Sequence, residues 1–102
     1  MFVKIGDVEF TASDDAQYTV TKYGGGSIGI RARVQAGKDL KLNEDKLYSL
    51  REGRSQEIEI STDDGITVKG LYKINELNWK KERKKDEEGG FELVFNIGLQ
   101  KQ

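Results

Sequence analysis

Phe91-Glu92-Leu93-Val94-Phe95-Asn96-Ile97-Gly98-Leu99 decides the fold class. Phe91, Leu93, Phe95, Ile97 and Leu99 fall at every second position, the period of a strand with one face on a core. The same alternation recurs upstream. Ile28, Ile30, Ala32 and Val34 face one way and Gly29, Arg31 and Arg33 the other. Tyr18, Val20 and Lys22 alternate with Thr19, Thr21 and Tyr23, a composition suited to a pleated, half-buried surface. Val3 and Ile5 lead through Gly6-Asp7 to Val8 and Phe10, a short hairpin. Glu57 to Ile60 reads as a further strand, and Asp63-Asp64-Gly65 as its turn into Ile66, Val68, Gly70, Tyr72 and Ile74. Leu77 and Trp79 sit on the opposite parity, which predicts a bulge near Asn75-Glu76.

One segment departs from this period. Asn43 reads as an N-cap, Glu44 and Asp45 suit the positive end of a helix, and Leu47 and Leu50 share a face. Arg51 suits the negative end and Gly53 a stop, so a helix is expected over about 43–52. It is too short to stand alone in water and must pack on the sheet. The expected fold is α+β: an antiparallel sheet or partly open barrel of about six to seven strands with one short helix, as a single domain over 1–102.

The chain of 102 residues carries 17 basic and 18 acidic side chains, a net charge of −1, which argues against a nucleic-acid partner held by global charge. Absent cysteine and histidine remove thiolate chemistry, disulfides, the commonest general base near neutral pH and the commonest metal ligand. No cofactor is implied. The start MFVKIGDVEF has no long apolar stretch, so neither a signal peptide nor a membrane span is expected.

Three patterns invite a chemical reading. Gly24 to Gly29 fits G-x-G-x-x-G, but it opens a strand, whereas a phosphate cradle opens a helix. With Gly65 at the sixth position of a calcium loop, Ile60, Thr62 and Leu71 occupy ligand positions, so that motif fails. The third pattern is Trp79 followed by Lys80, Lys81, Arg83, Lys84 and Lys85. An aromatic beside a basic run is the composition of a single-strand stacking site. Glu82 interrupts it and Asp86-Glu87-Glu88-Gly89-Gly90 follows, so the first expectation is a solvated, charge-laced hairpin tip that docks on a protein partner.

From about Leu40 onward the layout has a family likeness. A helix over Leu42 to Glu52 leads through Gly53 to a strand over Gln56 to Ser61. Asp64-Gly65, the segment Val68 to Ile74, Leu77, a charged insertion and a closing strand Phe91 to Lys101 follow. This order resembles the tail protein U type of contractile-tailed phages and, more loosely, other small tail-end and baseplate proteins. That group carries a G-x-[FY]-x-I-x-x-[LI] strand, matched by Gly70, Tyr72, Ile74 and Leu77. Its terminal F-x-[LF]-x-L-x-[KR] strand is matched by Phe95, Ile97, Leu99 and Lys101. The helix here is shorter than usual for the group.

The resemblance implies a non-enzymatic structural protein of a phage or prophage tail, in the virion or in the host cytoplasm during assembly. Its partners would be copies of itself or other tail proteins, and no membrane. Strand edges and the charged hairpin would carry the contacts, with Trp79, Lys80, Lys81, Arg83, Lys84 and Lys85 as partner-binding residues. The alternative expectation is a small β-barrel module that binds single-stranded nucleic acid through Trp79 and the basic run.

Overall fold

A computed structural model describes residues 1–35, 38–83 and 90–102. Seven strands and one helix follow in order: β1 (Phe2–Ile5), β2 (Val8–Thr11), β3 (Ala16–Lys22), β4 (Ser27–Gln35), α1 (Lys38–Tyr48), β5 (Ser55–Ser61), β6 (Thr67–Arg83) and β7 (Phe91–Lys101). Every pairing is antiparallel, and the strands form one sheet in the order β2-β1-β5-β6-β7-β4-β3. The sheet is not closed.

The connectivity explains both the curl of this sheet and its open seam. β2 and β3 are its two edges, yet only Ala12–Asp15 separate them in sequence. A chain can span about 18 Å over those five Cα steps, whereas seven strands laid flat put the edges about 29 Å apart. The sheet therefore curls until its edges approach. Seven antiparallel strands leave the two edges running the same way, and a parallel pair joined directly needs a crossover of about a dozen residues or more. The four-residue link is too short for that, so the barrel stays unzipped.

The interior is built from the alternating residues that the sequence pattern picks out. Ile28, Ile30, Ala32 and Val34 of β4 and Leu93, Phe95, Ile97 and Leu99 of β7 are all buried. Phe10, Tyr18 and Phe95 form an aromatic cluster, with Phe10 and Phe95 ring centroids 5.3 Å apart. Phe91 is the exception to the β7 pattern. It is 48% exposed because it pairs with Arg83 at the far end of the β6–β7 ribbon, beyond the cover of the core.

The bulge lies where parity requires it. Ile74 faces Leu99 and Glu76 faces Gly98, leaving Asn75 as the extra residue. Leu77 and Trp79 thereby return to the core side. Gly98 makes this possible, since a Cβ there would sit 2.9 Å from the Glu76 Cβ. Gly65 takes φ +96° in the β5–β6 turn, as the Asp64-Gly65 reading requires. Gly24–Gly26 forms a single 3₁₀ turn that leads straight into β4.

The helix exists but starts and ends earlier than 43–52. Asn43 does not cap it: the residue is buried on the inward face, where its Oδ1 accepts the Tyr18 hydroxyl at 2.7 Å. The end is closed by Leu50 N–H on the Leu47 carbonyl and by the Arg51 guanidinium on the Tyr48 carbonyl. Gly53 stands beyond the helix, donating to the Ile74 carbonyl at 2.7 Å. Leu47 and Leu50 anchor α1, which packs against β2, β4 and β7. It thus covers the β2 side of the seam and reaches β3 through the Asn43–Tyr18 bond.

Candidate interface at an open strand edge

Besides the first residues of β6, Thr67 to Gly70, which β7 does not reach, the curled sheet has three stretches of strand edge without a strand beside them among the described residues. The first is β2, only four residues long, with Glu9 and Thr11 exposed and α1 packed alongside. The second is the far half of β6. β5 accompanies β6 only as far as Lys73, whereas β7 continues to Arg83. The third is β3, with β4 on one side and an open groove on the other.

The sequence-predicted site lies on the second edge. Lys80, Lys81 and Arg83 are part of β6, so the expected hairpin tip begins later than Lys80; Lys84, Lys85 and residues 86–89 lie outside the described residues. Trp79 is half-buried, with the Tyr48 ring standing edge-on to it at 5.1 Å. Two positions along, Lys81 Nζ lies 3.2 Å from Glu44 Oε2, so one face of α1 seats on the inner row of β6. An indole held this way is a brace for the helix, already engaged by one aromatic partner.

The outer row carries alternating charge. Lys80 Nζ lies 2.6 Å from Glu82 Oε1, and Arg33 Nη1 lies 3.3 Å from the buried Glu92. Glu82 faces Glu92 directly across the ladder, and the two cations offset that repulsion. The hydrogen bond from Lys80, then its charge, then the charge of Arg33 lower the Glu82 pKa from the ordinary glutamate value. Its contribution is therefore present above the unfolded-state pKa and is lost as pH falls through the lower folded one. Replacing Lys80→Ala should move the Glu82 titration upward toward that of a free glutamate, read by carboxyl-detected NMR. Lysines along an exposed strand also blunt it against pairing.

The third edge lacks such protection. Asp15 accepts from Gln35 N–H at 2.7 Å and Tyr23 donates to Ser27 at 2.8 Å, so the odd-numbered residues of β3 exchange bonds with β4. The backbone groups of Val20 and Lys22 accordingly point away from the sheet. β3 is seven residues long and uninterrupted by any bulge from Ala16 to Lys22, and Lys22 is its single charge. The groove beside it, about 430 Å³, is lined by Ala16 to Val20 on one bank and by Met1 and Thr62 to Asp64 on the other. Its lining includes Asp63 and Asp64 and no lysine or arginine. Asp63 accepts from the Met1 amino group at 3.3 Å.

Sequence reasoning identified β3 as a strand, but not that this strand is the open one. Edge position follows from strand order, which alternation does not encode. Among the described residues no three acidic side chains converge to hold a metal ion, and no helix is long and apolar enough to cross a membrane. No family model matches the chain, and neither a curated protein nor a solved structure matches it.

Proposed function

We propose that this protein is a non-enzymatic assembly component that joins neighbouring subunits by strand pairing. We place it among the small proteins of phage or prophage tails, acting in the virion or in the host cytoplasm during assembly. The observation that carries the assembly reading is β3: a seven-residue, β-branched edge with Lys22 as its one charge, facing an open groove, where β2 and the far half of β6 are guarded. Such an edge is a template for another chain unless it is blunted. The tail assignment rests on the sequence likeness over 40–102.

The packing of Trp79 on Tyr48, and the ion pairs already made by Lys80 and Lys81, weigh against the nucleic-acid alternative. Sedimentation velocity with and without a thymidine oligonucleotide, at low and high salt, separates the two. Assembly predicts self-association that rises with protein concentration and ignores the oligonucleotide. A chain that stays monomeric yet binds the oligonucleotide in a salt-sensitive way contradicts it.

A further inference from the structure

We infer that the partner strand at β3 is β3 of a second copy, paired antiparallel about a two-fold axis at Val20. This deepens the assembly reading and rests on it. The argument starts from the open edges; at the start of β6 the open backbone groups belong to Thr67 and Lys69, whose side chains point outward, as they do on β2. On β2 the open backbone groups belong to Glu9 and Thr11, whose side chains point outward, because Ala12 bonds back to Met1 and the phase alternates from there. On β3 they belong to Val20 and Lys22, on the inward row. Directly opposed residues in an antiparallel pair share a face. Joining β2 of one copy to β3 of another would therefore set the apolar Phe10 row against the polar outer row of Thr19 and Thr21. The far edge of β6 would bring Lys80, Lys81 and Arg83 against Lys22, a meeting of like charges.

β3 against itself meets neither obstacle. With the axis at Val20, the N–H and C=O of Val20 exchange bonds with those of Val20 of the second copy. Thr19 then faces Thr21 of the second copy on the outer row, a favourable β-branched pair. On the inner row Lys22 faces Tyr18 of the second copy, so the only charge on the strand never meets its own image. Tyr18 keeps its bond to Asn43, which lies on the helix side. The Lys22 ammonium then reaches the groove beside Tyr18, whose far bank carries Asp63 and Asp64. The contact is isologous and closes at two copies, giving a dimeric unit for further assembly.

Proline at Val20 is the sharpest probe, because the Val20 N–H takes no part in the β3–β4 ladder. Val20→Pro should melt close to the parent while its dimer dissociation constant rises by about tenfold or more. The measurement is light scattering coupled to size exclusion, over about a hundredfold range of concentration. A charge exchange tests the groove separately. Lys22→Glu alone and Asp63→Lys with Asp64→Lys should each weaken the dimer, and the triple variant should recover it to within a few-fold. That set decides the matter if Val20→Pro fails to fold. A parent species of twice the protomer's 11.5 kDa that responds in this way supports the inference. Self-association indifferent to both sets overturns it while leaving the assembly reading standing. A parent that is monomeric throughout overturns it too, and the oligonucleotide titration above then decides the broader reading.

Discussion

Phe95→Ala should lower stability by about 3–5 kcal/mol, the usual cost of truncating a buried phenylalanine. The ring is fully buried and stands 5.3 Å from Phe10 and 6.0 Å from Tyr18. Its cross-strand neighbour on β4 is Ala32, the smallest inward residue of that strand, and the space this leaves accommodates the ring. Trp79 flanks it on β6. No other aromatic can swing in to refill the site, because the remaining two rings of the cluster are fixed by their own strands. A domain of this size holds about 5–15 kcal/mol in total, so the loss is a large share of it. Urea denaturation should show a lower midpoint with an unchanged slope.

Leu47→Ala should cost about 2–5 kcal/mol, for a different reason. α1 is eleven residues long and polar on average, so it holds its place through tertiary contact. Leu47 is its fully buried anchor, supported by Leu50 and by the Asn43–Tyr18 bond. Weakening that anchor loosens the Tyr48–Trp79 contact at the end of the helix, since Asn43, Leu47 and Tyr48 are all carried by α1. Trp79 is the only tryptophan, so its emission should shift to the red at urea concentrations below the main unfolding step. Leu42 lies on the same helix but is 53% exposed, and Leu42→Ala should fall within about 0.5 kcal/mol of the parent. Similar effects at both positions would mean that Leu47 is not the anchor that holds α1 on the sheet.

Much of this architecture is written locally. β7 announces itself by period, Asp64-Gly65 by turn chemistry, and the bulge at Asn75 by a change of parity between Ile74 and Leu77. Each is decided by residues within a few positions of one another. The start of the helix is not. Asn43 has the chemistry of a cap, but it is drawn into the helix interior by Tyr18, 25 residues away in sequence. Phe91 likewise fits the alternation and yet is exposed, because the ribbon outruns the core.

The candidate site was legible in part. The basic run was visible, but its position on an edge of β6, with Trp79 bracing α1, depends on where β5 stops and where the helix docks. The role of β3 depends wholly on strand order. An alternating strand of tyrosine, valine and threonine reads the same in the middle of a sheet as at its edge.

Amide hydrogen exchange along β3, followed as a function of protein concentration, tests the central claim most directly. In dilute protein Thr19 and Thr21 should be protected by their bonds to β4 while Val20, between them, exchanges quickly. As the concentration rises and dimer forms, the Val20 amide should become protected in step with the measured mass. A Val20 amide that keeps exchanging quickly while the mass increases would contradict pairing at this edge.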